Sequence, residues 1–300
     1  MNQSTKKGLS TTGLVLAALI WGSSFVVIKD TLNSIPPFAL CVLRFTPAAI
    51  LLALIYAPKL RHAKKEDMIK GCIVGIVMFT CYIADIMAFK YTTASKLAFI
   101  TGLNVVFVPF LAWRVNKSRP DRYALIGVVL AATGLGLLTI HKGEAIGAGD
   151  LLALLSAILL AAHIVAIEHF GKDTDPVVFT IAQFVVTAVG FIVLTLLFES
   201  FTFKMVTASW PQMTYLSVFC TLIALLLQMV AQKYLTSTTT AMILTLSTIF
   251  GAAASIYFLH EFMSLPMLAG GVIILVAIVT QETKWSFLKG RLTVHDETGK

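Results

Sequence analysis

Apolar positions in this chain gather into long, nearly uncharged runs broken by short polar segments. Ten runs stand out: Thr12 to Ile28, Phe38 to Ala57, Met68 to Phe89, Leu97 to Trp113, Tyr123 to Ile140, Leu151 to Ile167, Val177 to Phe198, Pro211 to Ala231, Tyr234 to Leu259 and Phe262 to Gln281. Each has the roughly 17–25 residues that a helix needs to cross a hydrocarbon core about 30 Å thick. The pattern predicts an all-α membrane protein of ten transmembrane helices.

Composition agrees. Apolar residues make up 58% of the chain and charged residues 13%, against about 45–50% and about 25% in soluble domains. A soluble fold of this size has no interior large enough for that surface, so lipid is the solvent for most of the chain. The net charge of +8 does not indicate a nucleic-acid partner, because the basic residues lie in the loops instead of clustering on one soluble face.

The distribution of those charges orients the chain. On the side of the N-terminus lie Lys6 and Lys7, the cluster Lys59, Arg61, Lys64, Lys65 and Lys70, and the cluster Arg114, Lys117, Arg119 and Arg122, followed by Lys172, Lys233 and Lys284, Lys289, Arg291 and Lys300. The opposite side holds only Lys29, Lys90, Lys96, Lys142 and Lys204. Cytoplasmic loops retain Lys and Arg, so both termini are expected in the cytoplasm. The first run ends at Lys29 and Asp30 without a small-residue cleavage pattern and reads as a retained helix. Cys41, Cys72, Cys81 and Cys220 fall in or beside spans, with no zinc-ligand spacing.

The two halves echo each other. Pro37, Arg44 and Phe45 recur at one constant separation as Pro176, Gln183 and Phe184; Tyr91, Thr93, Ala98, Phe107 and Gly127 recur at a second as Tyr234, Thr236, Ala241, Phe250 and Gly270. Five helices repeated put the second copy into the membrane from the opposite side, the arrangement in which two similar halves rock around a midplane site. Two small-residue pairs, Gly71 with Gly75 and Gly251 with Ser255, are read as helix packing within the chain and carry no oligomer prediction.

Polar residues inside the spans mark the candidate site. A charge at mid-span costs about 2.5–3.5 kcal/mol on insertion scales, so Arg44 and Asp85 need compensation. They are expected to face a water-filled cavity, with Asp85 either paired to Arg44 or holding a cationic substrate group, against the plainer reading that each snorkels to the interface. Asp85 and Arg44 map onto Gln228 and Gln183 in the second half, which places all four between the halves. Asn104, His163, Thr101, Thr245 and Ser247 join them as polar candidates, with Trp21 and Tyr82 as rings that stack on a ligand or close a gate. The expected substrate-binding set is therefore Trp21, Arg44, Tyr82, Asp85, Asn104, His163, Gln183, Gln228 and Thr245. Glu168, His169, Lys172, Asp173 and Asp175 read as a solvated connector, with Asp175 before Pro176 as a helix start.

No GxSxG, HExxH, P-loop or strand-borne GxGxxG occurs. No cofactor or metal is called for, and any pumping must draw on an ion gradient, with protons the candidate ion, or on a partner in place of nucleotide hydrolysis. A membrane enzyme acting on a lipid-linked substrate, or a channel, are the alternatives; neither predicts paired polar positions across inverted halves.

The segments WGSSFVVIKDTL, PPFALCVLRF, FKYTTASKLAFITGLNVVFVPFLAW and LLLQMVAQKYLTSTTTAMILTLSTIFGAAASIYFLHEFMS resemble the EamA-type branch of the drug/metabolite transporter superfamily. The resemblance implies two inverted five-helix repeats, over residues 1–141 and 149–283, with a cytoplasmic tail over 284–300. It further implies a multi-pass protein of the inner, plasma membrane that moves amino acids or other small metabolites, often outward. The central cavity would be lined mainly by the first, third, fourth, sixth, eighth and ninth helices. Two departures bear on the cargo: Ser247 and Thr248 replace a Glu-Pro pair common in the ninth helix, and Asp85 stands where a Gln is frequent. A cationic or zwitterionic cargo fits that exchange.

Overall fold

The computed structural model describes residues 3–117, 122–139, 147–200, 202, 207 and 209–283, and among these residues the regular structure is helical throughout. In chain order come α1 (Gln3–Thr31), α2 (Pro37–Ile55), the short α3 (Ala57–Arg61), α4 (Lys65–Tyr91), α5 (Ala94–Gly102), α6 (Asn104–Asn116), α7 (Arg122–Thr139), α8 (Ala148–Gly171) and α9 (Pro176–Phe198). The helix Trp210–Thr214 then runs through a π-helical stretch, Tyr215–Ile223, into Ala224–Ala231, followed by Ser237–Leu244, Leu246–Phe258 and Leu265–Thr283.

Local chemistry sets the helix starts. Pro37 and Pro176 occupy first-turn positions, where a missing N–H costs nothing, and the Asp175 side chain accepts from Val177 N and Val178 N. Thr93 and Thr236, related by the second of the two sequence separations, are both N-caps; they accept from Lys96 N and Thr239 N.

Among the described residues, eight helical segments are long and apolar enough to cross a membrane. The fifth and tenth apolar runs fall on the helices Arg122–Thr139 and Leu265–Thr283, within which Leu125–Gly134 and Leu265–Ala277 are described as apolar stretches. Boundaries also differ from the sequence reading. Helix α1 begins at Gln3, nine residues before Thr12; Tyr234 lies in a turn; and residues 260–264 are non-helical, so the last helix starts at Leu265 and not at Phe262. The tail expected over 284–300 lies outside the described residues.

Two apolar runs are not single helices. The fourth breaks at Leu103 and the ninth at Thr245. α5 packs on Leu246–Phe258 and α6 on Ser237–Leu244, so the two broken helices run antiparallel. Other contacts also come in matched sets: α1 lies against Leu246–Phe258 and Ala224–Ala231 as α8 lies against α6 and α4, and α2 meets the π-helical stretch as α9 meets α4. At the α2–α9 crossing the buried rings of Phe45 and Phe184 sit 6.2 Å apart.

Small residues permit these approaches. A Cβ on Gly71 would lie 2.7 Å from both the Phe179 carbonyl oxygen and the Ala182 Cβ, and one on Gly75 would lie 3.0 Å from Gln183 Cα. The Gly71/Gly75 pair thus seats α4 on α9, which is the packing role expected of it. Gly251 accommodates the Phe25 ring in the same way.

Candidate functional site

A cavity lies where α1, α4, α8, the two broken helices and Ala224–Ala231 meet, with Arg44 reaching in from α2. The centre of a water-sized molecule has about 100 Å³ in which to move. Its apolar wall includes Phe25, Ile28, Met78, Phe89, Leu160, Ile164, Leu225 and Leu244; its polar groups include Trp21, Arg44, Tyr82, Asp85, Asn104, Ser156, His163 and Gln228.

Arg44 is 4% exposed and docks on the π-helical stretch. Its Nε donates to Thr221 Oγ1 at 2.6 Å, and its Nη2 makes longer contacts with the Tyr82 hydroxyl at 3.4 Å and the Cys220 carbonyl at 3.5 Å. The guanidinium also lies 4.9 Å from the Tyr82 ring centroid, within cation–π range. The π geometry makes the docking possible. Ala224 N bonds the Phe219 carbonyl, five residues back, so the Cys220 carbonyl is open to side chains from elsewhere, including Trp21 Nε1 at 2.7 Å. Such departures from α geometry concentrate at functional sites.

Asp85 faces the same cavity, one helical turn from Tyr82 on α4. Ser156 Oγ donates to its Oδ1 at 3.2 Å. Among the described ion pairs none includes Asp85 or Arg44. The pairing offered by the sequence is therefore not made, because Thr221, Tyr82 and the Cys220 carbonyl hold the guanidinium on the α2 side. Nor does Arg44 snorkel to an interface; it is buried.

The helix breaks carry their own polar repairs. Asn104 Nδ2 donates to the Thr101 carbonyl at 2.8 Å, and Ser247 Oγ to the Leu244 carbonyl at 2.6 Å. Each satisfies an acceptor that a continuous helix would have used internally. Asn104 Oδ1 is buried with no hydrogen-bond partner among the described residues.

Seven of the nine expected residues line the cavity: Trp21, Arg44, Tyr82, Asp85, Asn104, His163 and Gln228. Gln183 does not; it sits behind the wall with its Oε1 2.9 Å from His163 Nε2. Thr245 also lies off the cavity, its hydroxyl turned back onto the Met242 carbonyl of its own helix. Gln228 donates to Gln232, which in turn donates to the Ile164 carbonyl of α8. Glu168 corrects the solvated-connector reading: it is 5% exposed in the last turn of α8 and accepts from Ser237 N at 2.8 Å. Thr221, Ser156 and the Cys220 carbonyl were not foreseen. Thr221 is the one hydroxyl between Val218 and Leu227, and Ser156 the one polar residue between Leu151 and Ala162, the only hint either one gave.

Fold and cavity together define a multi-pass helical membrane protein built around an internal cavity that carries polar and charged groups. The family model of the EamA-like transporter family matches residues 9–140 and again 147–280, and the chain belongs to that family. An uncharacterised transporter of Archaeoglobus fulgidus is 32% identical over 280 residues, covering 92% of this chain and 87% of that one. The uncharacterised transporter YyaM of Bacillus subtilis is 26% identical over 226 residues, 70% of this chain and 72% of its own. A solved crystal structure, 17% identical, superposes with a TM-score of 0.70 over 94% of this chain and 98% of that one, a likeness of fold. The protein is a membrane transporter.

Proposed function

We propose that this transporter is a secondary carrier that moves a small zwitterionic metabolite, an amino acid or a close relative, outward across the plasma membrane by alternating access. One observation carries the reading: Arg44 and Asp85 present opposite charges to one cavity, and neither has an ionic partner among the described residues. Buried charges are costly unless paired, and a ligand with a carboxylate at one end and an ammonium at the other supplies both partners at once. The largely apolar remainder of the wall suits an aliphatic or aromatic side chain.

Alternating access draws support from the antiparallel broken helices and the matched helix contacts, which suit two inverted five-helix repeats, and from the family model matching twice. Ten spans with both termini in the cytoplasm complete this reading, with protons as the candidate coupling ion.

The test is transport of a panel of labelled amino acids by purified protein in liposomes, with and without a pH gradient. Transport of neutral amino acids, with KM raised roughly tenfold or more by Asp85→Asn and a milder weakening by Gln228→Ala, is the expected result. Transport confined to anions, or unaffected by Asp85→Asn, would sink the proposal.

A further inference from the structure

We infer that Glu261 and Glu168 are a pair of latches, one at each end of the bundle, and that breaking one of them is what opens the cavity towards that end. The inference rests on the alternating-access reading.

Glu261, in the non-helical segment after Phe258, accepts from Ala94 N at 2.7 Å, from Ser95 N at 2.8 Å and from the Ser95 hydroxyl. Glu168, at the end of α8, accepts from Ser237 N at 2.8 Å and is held by Lys172 at 3.2 Å. Ala94 and Ser237 are the first residues of the two half-helices Ala94–Gly102 and Ser237–Leu244. The far ends of those half-helices form cavity wall, through Thr101, Gly102 and Leu244. Because the broken helices run antiparallel, the two carboxylates act at opposite ends of the molecule.

Half-helices of nine and eight residues are too short to be stable alone. An ionised carboxylate on the open N–H groups of their first turn, where the helix dipole also favours negative charge, is a strong and directional anchor. Each latch also recruits neighbours. At the Glu261 end, Lys96 bridges to Asp150 of α8 at 3.0 Å and Lys29 of α1 donates to the Phe89 and Thr92 carbonyls. At the Glu168 end, Gln232 ties Ala224–Ala231 to α8. Both latches are formed in this structure. Water and ligand reach the cavity from one end only when the half-helix at that end swings away, and its carboxylate is the contact that must be given up. Glu261 and Glu168 are positioning residues; neither touches the cavity.

Two kinds of variant break each latch. Glu261→Gln and Glu168→Gln remove the charge. Ala94→Pro and Ser237→Pro remove an N–H that the carboxylate accepts, at the helix position where proline is best tolerated, after Thr93 and Thr236, whose ψ of 153° and 160° is the extended geometry favoured before proline. The readout is labelling of Leu160→Cys, on the apolar cavity wall, by a membrane-impermeant thiol reagent in right-side-out and everted vesicles, in a chain whose four native cysteines are alanine. The expected result is a roughly tenfold rise in labelling from one face for Glu261→Gln and Ala94→Pro, and from the other face for Glu168→Gln and Ser237→Pro. A generally loosened fold would raise both faces together. If the parent reporter is labelled from both faces but all four variants leave the balance unchanged, or shift it the same way, the latches are refuted while alternating access stands. If the parent reporter is reached from a single face only, alternating access fails and the latches with it. Should a Gln variant not fold, judged by size-exclusion profile, the proline variant of the same latch decides.

Discussion

Arg44 and Asp85 share one cavity without meeting: Arg44 is committed to Thr221 Oγ1 at 2.6 Å, while Asp85 accepts from Ser156. In the proposed reading, two opposite charges held apart by separate hydrogen bonds each serve one end of a dipolar ligand, whereas a direct pair would have neutralised itself. That difference can be measured. If the two groups served each other, removing both would be milder than removing one, since it strands no charge. If each serves an end of the ligand, Arg44→Gln and Asp85→Asn each raise KM for the transported amino acid by roughly tenfold or more, because loss of one buried charge partner costs about 2–5 kcal/mol. The double variant is then no better than the worse single one. Initial rates in proteoliposomes give the comparison.

The bond between Arg44 and Thr221 yields a second prediction. Thr221 is fully buried, and its hydroxyl both receives Arg44 Nε and donates to the Leu216 carbonyl. Thr221→Val keeps the shape and deletes both bonds. The guanidinium is then left with its longer contacts, and an unsatisfied buried donor on a charged group costs about 1–3 kcal/mol or more. Thermal unfolding of the detergent-purified variant is expected to show a lower Tm, with Thr221→Ser close to the parent. Equal Tm for the Val and Ser variants would mean that the π-helical stretch does not anchor Arg44.

Much of this was legible in the sequence because the physics was local. Run length against membrane thickness located the helices, and the cost of a polar group in lipid marked Asp85, Asn104, His163 and Gln228. What failed was whatever depends on angle around a helix. Gln183 matches Arg44 in register, yet it faces His163 and not the cavity, and Thr245 looks inward by position but bonds its own turn. Periodicity is uninformative in a chain that is apolar on both its lipid and its protein sides, so one polar residue does not reveal which side it faces. Glu168 misled for a related reason: a carboxylate beside a lysine resembles solvated loop until a distant N–H, that of Ser237, is brought against it. The π-helical stretch left no mark, since residues 215–223 have the composition of any span.

Asp175 supplies a pH dependence outside the membrane. Burial raises its carboxyl, but the Lys59 ammonium at 2.7 Å and the Val177 and Val178 N–H groups outweigh this and hold it below the ordinary carboxylate value. A depressed folded-state pKa means stability that is present above the unfolded value, about 3.9, and lost as pH falls through the folded one. Asp175→Asn keeps a good cap but loses the charge. The variant is expected to melt slightly below the parent at pH 7, by well under 1 kcal/mol for so exposed a bridge, with the gap closing below about pH 4. A gap that widens on acidification would contradict the assignment. Asp175→Ala, which removes the cap as well, costs about 0.5–2 kcal/mol at any pH above that range.

The contact between Gly102 and Thr248 offers the sharpest test of how the broken helices fit. A Cβ on Gly102 would lie 2.5 Å from Thr248 Oγ1 and 2.9 Å from its Cγ2, while Thr248 Cβ stands at 3.2 Å. Both residues line the cavity, so a methyl group there pushes the two walls apart at the point where they cross. Gly102→Ala is expected to destabilise by about 1–3 kcal/mol, the usual range for overpacking, and to lower transport. Thr248→Ala removes both clashing atoms and leaves the new methyl only a tight contact. In the double variant Gly102→Ala/Thr248→Ala, most of the lost stability should therefore return, a non-additivity expected of residues in contact. Thermal unfolding of the parent, the two single variants and the double variant closes the cycle. Additive losses would mean that the helices do not meet at these residues, and the antiparallel crossing that frames the cavity would have to be redrawn.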